Sequence, residues 1–287
     1  MKNFCLKKAV VPVAGLGTRM LPATKEIPKE MLPIVTTPII QLIVEEIFYS
    51  GIEEIILITN SKKGSIEEHF DKNLDLELKL KKNKNLRDLN LLKHISKLKT
   101  KIITIKQGEP LGLGHAVLCS MPIVKDEPFA LVLPDMILST NDCRNNLSKL
   151  KKNFEKSGNS QILLGKVEKK DTKKYGIAKV KNSSLVSIIE KPDPSKAPSN
   201  LFAVGRYIFD KEIFKFIKKT KPDKSGEIQL TDALQDYLLK NEVNFEHLRG
   251  EVFDCGDKLG YLKAIIKFGI EDKLIKRDLK SFLKKQL

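Results

Sequence analysis

Apolar residues in the first half of the chain fall in short runs that alternate with amphipathic stretches. Residues 9–13 form a continuous apolar run of strand length, and Ile39–Tyr49 carries its apolar positions at helical spacing before Gly51 stops it. Residues 55–59 predict the next strand, after which Ser65 and Glu68 have the spacing of a capping box for a helix running through Phe70. Residues 74–98 are rich in lysine, with leucines at helical intervals, and 102–105 is another short strand. A helix from near Leu113, a strand over 129–133 and a helix near 145–156 continue the alternation. Repeated strand–helix–strand units predict an α/β fold with a mainly parallel sheet covered on both faces.

Beyond Ile162 the pattern turns strand-rich, with apolar runs at 161–164, 177–180, 185–189 and 202–208. Helical patterns resume at 211–217, 227–239 and 259–269, and a charged helical tail reaches Leu287. There is no low-complexity linker and no internal repeat, which predicts one continuous domain with mixed strands appended to a parallel core. In such sheets ligands sit beyond the carboxyl ends of the strands, so the residues that follow each strand are the ones to weigh.

Composition narrows the setting. A chain of 287 residues with 41% hydrophobic content is long enough to bury a substantial core, and a mean hydropathy of −0.23 is that of a soluble globular protein. No apolar run approaches the roughly 20 residues a membrane span needs, and Lys2 to Lys8 is not followed by a signal-peptide apolar region, so a cytoplasmic location without membrane attachment is expected. Cysteines 5, 119, 143 and 255 lack CxxC pairing and read as reduced, structural thiols rather than a zinc site. The net charge of +16 raises nucleic-acid binding as a function. The lysines are spread along the chain, however, and there is no tryptophan and no aromatic-interleaved basic platform, which argues against nucleic acid as a partner.

The densest chemistry follows the first strand. Ala14-Gly15-Leu16-Gly17-Thr18-Arg19 leads into a proline-punctuated loop carrying Lys29. Glycines let backbone N–H groups approach phosphate oxygens, and Arg19 and Lys29 would add charge-assisted hydrogen bonds. The dinucleotide fingerprint would need a third glycine where Met20 stands, the Walker loop would need Gly-Lys-Ser/Thr, and Pro22, Pro28 and Pro33 deny a regular helix. An ordinary tight strand-to-helix turn accounts for the glycines equally well.

Other strand ends supply isolated groups. Asp135 follows the apolar run that ends at Pro134, a place suited to a hard cation such as Mg²⁺ or simply to capping a turn, and Asp254 has the same apolar-acid-glycine setting. Gln107 precedes a glycine-rich turn, and its amide offers the donor and acceptor that match the imide edge of uracil or thymine; a surface glutamine in a turn would look the same. His115, in the first turn of the following helix, reads as structural. Glu190 could accept from sugar hydroxyls and Lys191 could hold a phosphate, or the two could be a solvated charge pair before Pro192. With no nucleophile triad and no histidine ligand spacing, cations, glycines and isolated acids point to phosphoryl or nucleotidyl transfer.

Seven segments, in order, carry a resemblance: AGLGTRMLPATKEIPKEMLP, LGLGHAVLC, LVLPDMIL, IIEKP, APSNLFAVGRYIF, GEIQLTDA and DCGDKLGY. Together they resemble the sugar nucleotidyltransferases, above all the bacterial UTP–glucose-1-phosphate uridylyltransferase family, over nearly the whole chain. Thymidylyltransferases are similar in the first loop but are not expected to have a helical insertion like 74–98, which favours uridine. The resemblance implies a Rossmann-like, mixed and mainly parallel sheet flanked by helices. The nucleotide-binding part would cover about 1–160, a β-rich sugar-phosphate part 161–270, and a helical tail 271–287.

It further implies that Ala14, Gly15, Gly17, Thr18 and Arg19 cradle the nucleotide, with Arg19 and Lys29 on its phosphates and Gln107 and Gly112 at uracil. Asp135, with Asp254, would hold Mg²⁺. Gly176, Glu190 and Gly205 would surround glucose, and Lys191 would take the sugar phosphate. The implied reaction joins UTP and α-D-glucose 1-phosphate into UDP-glucose and pyrophosphate, carried out by a homo-oligomer. A nucleotide-binding module without chemistry would not need to keep Arg19, Lys29, Asp135 and Lys191 together. The tail from Ile270 carries little motif information and the 181–185 loop is short for the family, which bears on oligomeric contacts more than on chemistry.

Overall fold

The computed structural model describes residues 4–61, 63–99, 101–139 and 143–286. In the first part of the chain the elements are β1 (Lys8–Pro12), β2 (Pro33–Ile34), β3 (Thr37–Pro38), α1 (Ile39–Tyr49), β4 (Glu54–Thr59), α2 (Gly64–Phe70), α3 (Leu74–Lys82), α4 (Leu86–Lys99) and β5 (Ile102–Lys106). Then come α5 (Gly112–Cys119), α6 (Met121–Val124), β6 (Phe129–Val132), β7 (Met136–Leu138), α7 (Cys143–Ser157) and β8 (Ser160–Lys166). The chain continues with β9 (Gly176–Lys181), β10 (Ser184–Glu190), β11 (Leu201–Phe209), α8 (Ile213–Ile217) and α9 (Leu230–Tyr237). It ends with β12 (Val243–His247), β13 (Val252–Asp254), α10 (Lys258–Glu271) and α11 (Lys276–Gln286).

Among the described residues the main sheet runs β5-β4-β1-β6-β11-β8-β12-β10-β9. The β5, β4, β1 and β6 strands are parallel to one another, as the alternation predicts. Mixed pairing begins at β11, which lies antiparallel between β6 and β8; β12 is parallel to β8, and β9 and β10 form an antiparallel hairpin.

Burial explains why the strands read as unbroken apolar runs. Along β1, Ala9 and Val11 belong to the core on one face and Val10 to the core on the other, all with no exposed surface. The first face is covered by α1 (Ile40, Ile43, Val44, Ile47) and α7 (Leu147, Leu150, Phe154). The second is covered by Val117 of α5, Phe214 of α8 and Leu234 and Tyr237 of α9. Each such side chain contributes about 1.5–3 kcal/mol by leaving water.

Four local expectations are revised. The capping box at Ser65 and Glu68 does not form: α2 begins at Gly64 with no side-chain cap, its start set instead by Lys63, which turns inward to Glu30 with Nζ 2.7 Å from Oε2. The 74–98 segment is two helices, broken where Lys84 takes a left-handed φ of 55°, with the Asn73 side chain capping α3. The helix expected over 227–239 starts only at Leu230, because Ile228 pairs with the backbone at the start of α5. Short strands β7, β12 and β13 were not expected. Two of them, β7 and β13, pair among the described residues only with each other, more than a hundred residues apart in sequence. No helix among the described residues is long and apolar enough to cross a membrane.

Candidate active site

The glycine loop is shaped by its surroundings rather than by a helix. Val13 donates its N–H to the Ile58 carbonyl at 2.8 Å, and the Ala14 carbonyl accepts from Asn60 Nδ2 at 2.8 Å, so the loop leaves from a fixed point between the ends of β1 and β4. Gly17 has a φ of 69°, which favours glycine, and its carbonyl accepts from Thr24 Oγ1 at 2.8 Å. The prolines confine helical structure to two single turns, Thr18–Met20 and Lys29–Met31. Between them the chain doubles back until the Lys29 side chain packs on Gly17.

A cavity of about 490 Å³ opens above this loop, lined by Ala14, Gly15, Gly17, Thr18, Lys29, Gln107, Gly112, Asp135 and Glu227 among others. Gln107 is buried and doubly anchored. Its N–H reaches the Thr59 carbonyl at 2.7 Å, and its Nε2 donates to His115 Nδ1 at 2.9 Å, which fixes the orientation of the amide. Gly112, with a φ of 90°, leaves no room for a side chain, since a Cβ there would stand 2.8 Å from that of Glu227.

A second cavity, of about 480 Å³, adjoins the first and is lined by Arg19, Lys174, Tyr175, Gly176, Glu190, Lys191, Thr231 and Asp254 among others. Glu190 ends β10, where its Oε2 accepts from Thr231 Oγ1 at 3.1 Å and its Oε1 lies 3.2 Å from Lys191 Nζ. Lys191 itself is exposed and takes a left-handed φ of 42°. Gly176 faces both Thr231 and Glu190 at distances a side chain would crowd.

Asp135, Leu133 and Leu113 line both cavities. The Asp135 carboxylate takes a 2.7 Å hydrogen bond from Lys29 Nζ. Burial pushes its pKa up, but the Lys29 charge and hydrogen bond, helped by Arg19, outweigh burial and hold it below the usual carboxylate range. Lys29 is the mirror case: burial would lower its pKa, and the charges of Asp135 and Glu30 raise it instead.

Asp254 stands on β13, whose pairing with β7 puts it opposite Met136, and the next residue, Cys255, donates its N–H to the Asp135 carbonyl at 2.7 Å. Burial, then the charge of Asp135, raises the Asp254 pKa. Two neighbouring carboxylates of which one resists ionisation suit a hard divalent cation, which needs only one or two carboxylates and completes its shell with phosphate oxygens and water. Among the described residues no cluster of three or more His, Cys, Asp or Glu is placed to hold a metal ion, so a closed, all-protein metal cage is absent there.

Of the residues given a site role by the resemblance, all but Gly205 line one cavity or the other, and Arg19 lies on the second rather than the first. The Arg19 guanidinium reaches past Gly256 toward Asp254. Gly205 sits behind the cavities: a Cβ on it would meet the Leu133 side chain at 2.8 Å, and its carbonyl accepts the Leu133 N–H. Sequence reasoning missed Thr231, Tyr175 and Glu227 and the link between His115 and Gln107. The eight-residue spacing of that pair across a glycine turn was the available signal.

A glycine loop and a second polar pocket meet at one carboxylate, an arrangement suited to joining two phosphates, and a profile of the family described as Nucleotidyl transferase matches residues 8–268. A UTP--glucose-1-phosphate uridylyltransferase of Escherichia coli is 43% identical over 296 residues, 99% of this chain and 97% of the relative. The solved structure of UTP-bound UGPase from Acinetobacter baumannii superposes with a TM-score of 0.87 at 39% identity, covering 97% of this chain and 98% of that one. A UDP-glucose pyrophosphorylase complexed with UDP-glucose gives a TM-score of 0.84 at 34% identity, covering 93% of this chain and all of that one. The chain belongs to the nucleotidyl transferase family and, within it, to the UTP–glucose-1-phosphate uridylyltransferases.

Proposed function

We propose that this chain joins UTP and α-D-glucose 1-phosphate into UDP-glucose and pyrophosphate, with uridylyl transfer taking place at the wall the two cavities share. The observation that carries this reading is the position of Asp135, which lines the cavity above the glycine loop on one side and a cavity of charged and polar residues on the other. In the first cavity the N–H groups of 14–18 and Lys29 would hold the triphosphate, and Gln107, its amide oriented by His115, would face the uracil imide with Gly112 beneath the ring. In the second, Glu190 and the backbone at Gly176 would take glucose hydroxyls, and Lys191 would exchange its exposed contact with Glu190 for the sugar phosphate.

The bond change needs no protein nucleophile. A phosphate oxygen of glucose 1-phosphate forms a bond to the α-phosphorus of UTP as the bond to the β-phosphate bridge breaks, and pyrophosphate leaves with the electron pair. The sugar phosphate is already ionised, so no proton has to be removed first. Asp135 and Asp254 would hold Mg²⁺, which when bound neutralises charge on the phosphates. Lys29 would turn from Asp135 to a phosphate oxygen as the ligands enter, and Arg19 would meet the incoming sugar phosphate from the Asp254 side. The largest contribution is positioning two mutually repelling anions in line.

The even spread of lysine and the free thiols of Cys5, Cys119 and Cys255 support a cytoplasmic setting without nucleic acid. Exposed apolar residues on α10 and α11, such as Leu262, Ile266 and Phe282, support self-association. The unbroken sheet through β11 supports treating the chain as one catalytic unit.

Incubation of the purified protein with UTP, glucose 1-phosphate and Mg²⁺ should release pyrophosphate and yield UDP-glucose, and parallel reactions with dTTP and ATP should be much slower. No pyrophosphate in any arm would overturn the proposal.

A further inference from the structure

Arg206 is fully buried, in the middle of a strand that otherwise reads as apolar. Its Nε and Nη2 donate to the two oxygens of Glu46 on α1 at 2.9 and 2.7 Å. Two of its other three N–H groups go to carbonyls: Nη1 to Leu133 at 3.1 Å and Nη2 to Met136 at 2.8 Å. Those carbonyls bracket Pro134 and Asp135. Immediately before it, Gly205 takes the Leu133 N–H on its carbonyl at 2.8 Å, with a φ of 79°, where the register of β11 against β8 shifts. On the far side the Asp135 carbonyl accepts from Cys255. The short loop that presents Asp135 to both cavities is thus gripped by its backbone at four atoms, and three of these contacts come from two adjacent residues of β11.

We infer that Arg206 is a positioning residue for the transfer reaction, acting with Glu46 and Gly205 to hold the Asp135 carboxylate at the wall between the two cavities. The inference rests on the proposed uridylyl transfer. A buried ion pair is not by itself a device for stability, because an apolar pair of similar volume often serves as well or better. What an apolar pair cannot do is hold two carbonyls at a fixed separation. The guanidinium is a rigid planar fork, so the carboxylate of Glu46 and the two carbonyls define one plane and one distance. Glu46 neutralises the charge and aims the fork; the Asp135 loop receives the aim. Groups that orient a metal or phosphate ligand from behind in this way alter metal affinity or rate by about 10- to 100-fold when removed.

The test uses two variants of the full chain. Arg206→Lys keeps the charge but replaces the fork with a single head that cannot serve the carboxylate and both carbonyls. The double variant Arg206→Met with Glu46→Leu removes both charges together and leaves an apolar pair. In each folded variant kcat should fall about 10- to 100-fold, while the KM for UTP stays within about twofold and the Mg²⁺ concentration for half-maximal rate rises about 10-fold. Mn²⁺ titrated in the presence of UDP-glucose and followed by electron paramagnetic resonance should give a correspondingly weaker bound-ion signal. Unchanged kcat and metal requirement in either folded variant would overturn the inference. Failure of both to fold would also overturn it, by assigning the pair to stability. A wild-type protein that releases no pyrophosphate refutes the transferase reading itself, whereas an active wild type with unaffected variants refutes only the role of Arg206.

Discussion

The two cavities are built from different materials. The one above the glycine loop takes the unbroken run 14–18, with its two glycines, and adds Gly112, Lys29, Gln107, Asp135 and Glu227. The other has no such run of five and is dominated by charged and polar residues from separate segments, among them Arg19, Lys174, Tyr175, Glu190, Lys191, Thr231 and Asp254. Backbone suits a ligand region that is the same in every nucleotide, a chain of phosphates; side chains suit one whose identity lies in the stereochemistry of its hydroxyls. The division also follows the sheet, parallel on the glycine-loop side and mixed beyond β11.

That contrast can be broken first at the shared wall. Asp135→Asn should lower kcat by about 10²–10³-fold, the usual cost of losing one preorganised charge partner, while calorimetry still detects UTP binding. Retained turnover would mean the cavities do not meet at this carboxylate. Next, Lys191→Ala should raise the KM for glucose 1-phosphate about 10- to 100-fold, the worth of one hydrogen bond to a charged group, and leave that for UTP within about twofold. Equal losses for both substrates would remove the side-chain cavity's separate identity.

On the main-chain side, Gly112→Ala should do the reverse. It forces an alanine into a φ of 90° and pushes on Glu227 and the Ile228 backbone, so the KM for UTP should rise and stability should fall by about 1–3 kcal/mol in a urea titration. The smallest effect on stability is expected from Asp254→Asn. Burial and the charge of Asp135 raise the Asp254 pKa, so the ionised carboxylate is a cost to the ligand-free fold above that raised pKa, and the cost fades as pH falls through it. The variant should therefore melt about 1–4 °C higher at neutral pH, lose that advantage in acid, and be poorly active throughout. A lower melting temperature at neutral pH would contradict the assigned direction.

Much of the main-chain cavity was readable from the order of residues, because a strand, a pair of glycines and a cation lie within twenty positions and their geometry is local. The side-chain cavity was readable only as isolated acids and lysines at strand ends; nothing local says that Glu190 and Thr231 touch. Arg19 and Gly205 show the limit from opposite directions. Arg19 belongs to the glycine loop in sequence but lies in the other cavity, because the single helical turn after Gly17 carries it toward Asp254. Gly205 stands in an apolar strand, where the absence of a side chain makes room for Leu133. Glu30 with Lys63 and Glu46 with Arg206 are hidden for a related reason: a buried ion pair looks like two surface charges until the chain brings them together.

Residues 226–230 carry one more lesson. Ile228 is stitched to the start of α5 by two backbone hydrogen bonds, its N–H donating to the Leu111 carbonyl just before the helix and its carbonyl accepting from the Gly114 N–H in the first turn, while Glu227 faces one cavity and Gln229 the other. A change of one residue's length in this strip would move both neighbours at once. Under the proposed uridylyl transfer, preference for the base and preference for the sugar would therefore be mechanically geared. An evolutionary path toward a new nucleotide that passes through this strip would drag the choice of sugar with it, and descendants that changed only one would have to do so elsewhere.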